Sequence, residues 1–356
     1  MNGSLMHKTL LGLGISLFLA AAGGTALEIR YGRTPAADPL AAAISGIPAA
    51  REEAKEPATV LFTGDIMLGR YVHTLSKMYG ADYPFRKISA ELRAHDLTVG
   101  NLEGPVFAGA PETPINSVSF SFLPEKARLL AEAGFDALNL GNNHTYDHGR
   151  AKYEETKAVL AAEGLLSFGH ALYADAGGAA SVGIRNERLA LVGMNATYPS
   201  FVLEDAEEFV RKIRSEEPEA FLAVNIHWGE EYQKKSNARQ REIAHALADA
   251  GADLLVGHHP HVAQEIEVYR GKAIFYSLGN FIFDQYASAD TKEGLLVRMS
   301  LTPGEVRYEL LPADLGRSQP ELMPEDKKTA WLSELARRGE QVLESQVGAG
   351  SLRLLR

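Results

Sequence analysis

Leu254-Leu255-Val256-Gly257-His258-His259-Pro260-His261 is an apolar run that ends in a cluster of histidines. The three aliphatic residues read as a buried strand, and the imidazoles begin where that strand stops. Three histidines within four positions at a strand mouth are poorly explained by packing. His259 and His261 stand two apart, so an extended backbone turns both rings to the same side. Neutral imidazole is the commonest metal ligand among side chains. The competing explanation is a solvated histidine cluster on a loop, and the rest of the chain decides between the two.

The chain has 356 residues, 46% of them hydrophobic and 23% charged, which is the composition of an ordinary globular protein with material for a sizeable core. Its net charge of −10 argues against a nucleic-acid binder. Residues 1–57 carry five basic and five acidic groups, so the whole excess of negative charge lies in 58–356. There is no cysteine, which removes disulfides, thiolate metal sites and thiol catalysis. Any metal must be held by His, Asp, Glu and Asn, a set that suits Mn, Fe, Zn or Mg.

Thr9 to Leu27 is a stretch of 19 residues without a charge, close to the length that spans a bilayer as a helix. It fits an uncleaved anchor within residues 1–29. A cleavable signal peptide is the alternative, since Ala20-Ala21-Ala22 offers small residues after a short apolar core. Either reading sends the remainder across the membrane. Residues 30–57 are rich in Ala and Pro and read as a spacer. From Thr59 a βα rhythm begins. Short apolar runs (59–63, 96–100, 137–140, 189–193, 220–226, 254–256) alternate with helical patterns at 125–133, 150–163 and 237–250. Late strands at 265–269, 273–277, 294–301 and 306–311 follow with no clear helices between them. This predicts an α/β domain over 58–315 with mixed sheets, then a helical tail over 316–356.

Polar, metal-capable residues recur directly after these strands, where sites assemble in open α/β sheets. They are Asp65; Asn101 and Glu103; Asn142, Asn143 and His144; His227; and His259 and His261, with His258 beside them as a supporting or substrate-facing residue. Each alone has an ordinary explanation as a helix cap, a turn residue or a core histidine. Together, each at a strand end, they predict one shared metal site. Asp147 is placed to orient His144. Glu230 and Glu231 are acid–base candidates, Asn280 follows a late strand, and Arg70 offers a fork of donors for an anion.

Six ordered segments carry a family resemblance: Gly-Asp-Ile-Met-Leu-Gly (64–69), Asn-Leu-Glu-Gly-Pro (101–105), Gly-Asn-Asn-His-Thr-Tyr-Asp-His-Gly (141–149), His-Trp-Gly-Glu-Glu-Tyr (227–232), Gly-His-His-Pro-His (257–261) and Ser-Leu-Gly-Asn-Phe (277–281). They resemble the bacterial CapA/PgsA family of capsule, or poly-γ-glutamate, biosynthesis proteins, and more broadly the calcineurin-like metallophosphoesterases. The resemblance implies a four-layer α/β/β/α sandwich and a membrane-anchored domain outside the cell, secreted if the first segment is cleaved. It implies one or two divalent metals. Asp65 and His261 would hold the first, and Asn143, His227 and His259 would surround the second, with His144 as the acid that protonates a leaving group. Partners implied are membrane synthase or export subunits and an anionic polymer.

Two positions depart from the phosphoesterase pattern. Met67 stands where a histidine is usual, and thioether sulfur is a poor ligand for hard metals. Asn101 stands where a bridging aspartate is usual, and Glu103, two residues on, is the candidate replacement carboxylate. Three functions are therefore expected in order: a component of capsule or poly-γ-glutamate production that binds or processes the polymer; a free-standing metal-dependent hydrolase; and a binding module whose metal is structural.

Overall fold

The computed structural model describes residues 56–174 and 178–356. Its first half runs β1 (Ala58–Ile66), α1 (Arg70–Tyr79), α2 (Ser89–Leu92), β2 (Leu97–Leu102), α3 (Glu125–Ala133), β3 (Ala137–Asn139), α4 (Gly149–Ala162) and β4 (Leu166–Phe168). A second set follows: β5 (Ala179–Ile184), β6 (Glu187–Asn195), α5 (Leu203–Glu216), β7 (Phe221–His227), α6 (Ala238–Ala250), β8 (Leu254–His258), β9 (Ile266–Tyr269) and β10 (Lys272–Phe275). The chain closes with β11 (Asn280–Ile282), β12 (Glu293–Thr302), β13 (Glu305–Asp314), β14 (Glu321–Leu322), α7 (Glu325–Arg338), α8 (Glu344–Gly348) and β15 (Ser351–Leu355).

The strands form two mixed sheets. One has the order β14-β13-β12-β1-β2-β3-β4, with β11 beside the end of β1 and β15 beside β13; the other has the order β5-β6-β7-β8-β10-β9. Side-chain alternation shows what covers each face. Along β1, Val60 and Phe62 enter the core between the sheets, while Leu61 packs with Val72, Leu92, Leu130 and Tyr153 of the first four helices. Along β6, Leu189 and Leu191 face the same central core, and Ala190 and Val192 pack under Phe209, Val210, Ile243 and Leu247 of α5 and α6. A strand buried on both faces needs apolar residues at both parities, which is why these runs read as continuous rather than alternating. The expected α/β class with mixed sheets is what the chain forms.

Strand ends, not strand bodies, position the site. The register of β1 against β2 shifts between Phe62 and Asp65, an irregularity of the kind that re-aims side chains. Gly64 lies within that shift because a Cβ there would sit 2.0 Å from the carbonyl oxygen of Gly279. Gly257, just before the histidines, is held to the same size by the carbonyl of Tyr276, also 2.0 Å from where its Cβ would be. Both glycines allow a neighbouring backbone to press against the strand next to a site residue.

The segment 316–356 differs from the helical tail expected of it. It contains α7 and α8, but β14 and β15 pair antiparallel with β13 and extend the first sheet. Among the described residues no helix is long and apolar enough to cross a membrane. The charge-free stretch 9–27 and the spacer up to residue 55 lie outside the described residues.

Candidate metal centre

The C-terminal ends of β1 and β2 in one sheet meet those of β7 and β8 in the other. Asp65, fully buried, is the hub. Its Oδ1 accepts from His258 Nδ1 at 3.1 Å and from Asn101 Nδ2 at 2.9 Å. Its Oδ2 accepts from the His259 backbone N–H at 3.3 Å and lies 3.3 Å from His261 Nδ1. Glu103, His227 and Asp65 bring ligand atoms within 4.8 Å of one another, and Glu231, His259 and His261 form a second such group beside them. His259 Nδ1 stands 3.1 Å from His227 Nε2, and His227 Nε2 stands 3.8 Å from Glu103 Oε1.

His259 and His261 do come together, but not through the extended backbone expected of them. Their φ angles are +97° and +58°, in the left-handed region. The chain turns sharply after β8, with Pro260 between them, and the two ring centroids end 6.0 Å apart. Positive φ at non-glycine residues costs free energy and collects at functional sites.

Asn101 is a positioning residue. Its Oδ1 accepts from Asn139 Nδ2 at 3.0 Å and Asn142 Nδ2 at 3.2 Å, so its amide nitrogen is the end turned to Asp65 and, at 3.3 Å, to Glu103 Oε1. An N–H donor cannot ligate a cation, so the bridging role falls to a carboxylate, and Glu103 is there. Met67 is fully buried among the residues under the helices, and its sulfur accepts from Gly69 N–H. The site does not use it.

His144 is held on both nitrogens. Nδ1 lies 3.0 Å from Asp147 Oδ2, an oxygen that also accepts from Phe120 N–H. Nε2 accepts from Asn143 Nδ2 at 3.2 Å, and the ring packs 4.1 Å from that of Phe120. Asn280 Oδ1 lies 3.0 Å from His261 Nδ1 and fixes that ring. Arg70 sits near the cluster with its fork taken: Nε bonds both oxygens of Asp284, and Nη2 pairs with the same carboxylate. Its guanidinium lies over Phe120 and Phe283, the rings that pack on His144 and His261. Glu230 is exposed and bonds Asn237, the N-cap of α6, outside the cluster. Sequence reading missed Asn139, and of its two acid–base candidates Glu231, not Glu230, is the one near the histidines.

A divalent cation suits these groups. Among the described strand-end residues three buried acceptors lack a partner: Glu103 Oε2, Asn143 Oδ1 and His258 Nε2. The bond from Asn143 Nδ2 to His144 leaves the amide oxygen facing away with its lone pairs unused. The Nδ1 bond to Asp65 likewise leaves His258 with an open Nε2. Orphaned buried acceptors are rare in native proteins, and three in one cluster of carboxylates and imidazoles are what a metal would satisfy. Electrostatics agree. Burial pushes the Glu103 carboxyl well above the usual carboxylate range, and the Asp65 charge adds to the push. Burial also acts on Asp65, but hydrogen bonds from His258 and His261 outweigh it and hold that carboxyl well below the usual range. Two carboxylates driven apart in this way are short of one positive charge.

Burial, and then the neighbouring His261, push the His259 ring down to about 4; burial and then His259 push His227 well below the ordinary histidine value. Both rings are therefore neutral, ligand-ready imidazoles at pH 7. A histidine whose folded pKa is depressed contributes stability present above its unfolded value and lost as pH falls toward the folded one. The chelator-treated protein is expected to lose stability from about pH 6.5 to about pH 4, with His259 alone contributing up to ~3 kcal/mol of that loss. Urea midpoints measured across this range check it; a flat profile would contradict the buried neutral rings.

Residues 59–285 match the family described as bacterial capsule synthesis protein PGA_cap. The PGA biosynthesis protein CapA of Bacillus subtilis is 35% identical over 74% of this chain and 73% of its own length. The capsule biosynthesis protein CapA of Bacillus anthracis is 34% identical over 74% of this chain and 69% of its own. A solved structure of a hypothetical protein from Thermus thermophilus superposes with a TM-score of 0.43 at 19% identity, covering 74% of this chain and 95% of that one. The matched span runs from β1 past Asn280 and takes in every strand end of the cluster, and the chain belongs to the bacterial capsule synthesis protein PGA_cap family.

Proposed function

We propose that this protein is an accessory component of capsule or poly-γ-glutamate production, working outside the cytoplasm, and that its strand-end cluster holds one or two divalent ions through which it binds or processes an anionic polymer. The three unpartnered buried acceptors among the strand-end residues, Glu103 Oε2, Asn143 Oδ1 and His258 Nε2, carry the metal part of this reading. Family membership supports the pathway. The helix–sheet–sheet–helix packing order supports a metallophosphoesterase-like architecture. The charge-free stretch 9–27 supports anchoring at the membrane, next to synthase or export subunits.

Asp65, Glu103, Asn143, His227, His258, His259 and His261 would hold the ions. Bound there, a divalent cation supplies positive charge to a carboxylate or phosphoryl oxygen. The chain's own groups fix orientation: Asn101 aims both carboxylates, and Asn280 fixes His261.

A second reading, hydrolysis, is favoured by the His144–Asp147 pair. A carboxylate on Nδ1 fixes the orientation of the ring, so that Nε2, which meets the Asn143 amide, is the nitrogen placed to give or take a proton. The full-length protein is expected to carry one to two equivalents of a transition metal by plasma mass spectrometry; none after incubation with Mn or Zn would defeat the proposal. His144→Ala is expected to keep that metal and lower any hydrolytic turnover by about 100-fold or more. Unchanged turnover would return the domain to a binding role.

A further inference from the structure

On the helix side of the first sheet lies a pocket separate from the strand-end cluster, lined by Gly69, His73, Glu112, Thr113, Phe122 and Lys126; the Glu112 carboxylate is exposed and already paired, with Lys77 at 2.9 Å and His73 at 3.4 Å. The centre of a water-sized group can range over about 20 Å3 inside it, room for one carboxylate head or a small inorganic anion. Lys126 is 6% exposed. Among the described residues its ammonium has neither a hydrogen bond nor an ion pair. The carboxylate that acts on it is that of exposed Glu125, beyond ion-pair range.

This arrangement is unfavourable as it stands. Lysine is among the residues least often buried without a partner, because desolvating a charge is costly. Burial lowers the Lys126 pKa from its usual value, and Glu125 offsets only part of that. Lys126 also sits in the first turn of α3, the end where the helix dipole repels a cation. The nearby His73 ring, lowered by burial and then by Lys126, stands at the same wall with its Nε2 3.4 Å from Glu112 Oε1. The hydroxyl of Thr113 is already committed to Ser121 and leaves Lys126 unpartnered.

We infer that this pocket binds a single carboxylate, with Lys126 as its counter-charge. Two sources share that chemistry: a free small carboxylate, or a pendant carboxylate of an anionic polymer. The second rests on the function proposed above.

The test uses full-length protein in chelator, so that the strand-end cluster contributes nothing. Sodium acetate is titrated against the thermal midpoint at constant ionic strength, with sodium chloride as control. The unliganded wild type is expected to gain several degrees with acetate. Lys126→Met is expected to start higher, since it removes an unpaired charge carried by a largely buried side chain, and to lose the acetate response. Equal responses in both proteins, or none in the wild type, would overturn the inference. A second readout needs no variant: acetate is expected to slow reductive methylation of Lys126 at least fivefold, and that of exposed Lys327 not at all. Labelling of Lys126 indifferent to acetate would overturn it as well. Poly-γ-glutamate is then added with and without metal. Binding that survives chelator and needs Lys126 places the polymer here. Binding that needs metal and ignores Lys126, with the acetate response intact, leaves the pocket to free carboxylates.

Discussion

Asp65→Ala is expected to abolish divalent metal binding and to destabilise the metal-free protein by about 3–5 kcal/mol, the range for removing one partner from a buried charged network. The size follows from what the carboxylate holds. It accepts from His258, Asn101 and the His259 backbone and lies against His261, all at 3.3 Å or less. Alanine leaves these donors buried and unanswered, each at about 1–3 kcal/mol. The same contacts tie β1 in one sheet to β8 in the other, so the loss falls on the junction between the layers. Asp65→Asn separates charge from shape. It fills the space but turns an N–H toward a donor, so it too is expected to lose metal, with a smaller drop in the urea midpoint. Retention of wild-type metal content by Asp65→Ala would remove Asp65 from the ligand set.

The sequence shows the strand-end residues well because each follows a short apolar run closed by glycine or a turn, a signal local in the chain. Helices α3, α4 and α6 are legible for a similar reason. Pro124 precedes the first, and Asn237 and Gly251 bracket the third, where Asn237 and Gln240 form a capping box. What is not legible depends on partners distant in sequence. The amide of Asn101 is oriented by Asn139 and Asn142, which lie on and just after the neighbouring strand, so nothing within residues 97–103 reveals which end faces the carboxylates. The turn at His259 and His261 hides for another reason. Two histidines two apart look like strand, whereas both take positive φ on either side of Pro260. Helix α5 carries a signal that a reading for strand ends passes over: Ala206, Phe209, Val210 and Ile213 repeat at helical spacing and are its buried face. Strand β15 is hidden within a tail whose charged, helical pattern is that of α7 alone.

Glu103→Gln is expected to act in opposite directions on stability and on metal binding, and this contrast tests the centre more sharply than a ligand deletion. In the metal-free protein Glu103 is fully buried, one of its oxygens has no partner, and burial and Asp65 raise its pKa well above the usual range. A carboxyl whose folded pKa is raised contributes stability that is fully present below the unfolded value and is lost as pH rises through the folded one. The metal-free wild type therefore carries a burden at neutral and alkaline pH that glutamine does not. At pH 8 in chelator, Glu103→Gln is expected to be the more stable protein by about 1–3 kcal/mol, the scale of an unsatisfied buried polar group. Below about pH 4 the two should converge, because Glu103 is then protonated in both folded and unfolded chains. Saturating metal reverses the order. A cation that binds only the folded chain stabilises it in proportion to the logarithm of its affinity, and a neutral amide in place of the second carboxylate is expected to weaken binding by about 10- to 100-fold or more. Urea midpoints of both proteins, with chelator and with metal, should cross. If glutamine is destabilising under every condition, the Glu103 carboxyl is already satisfied in the folded chain and is not an open ligand. If it is stabilising under every condition, no cation depends on Glu103, and Asp65 with the histidines must hold the metal without it.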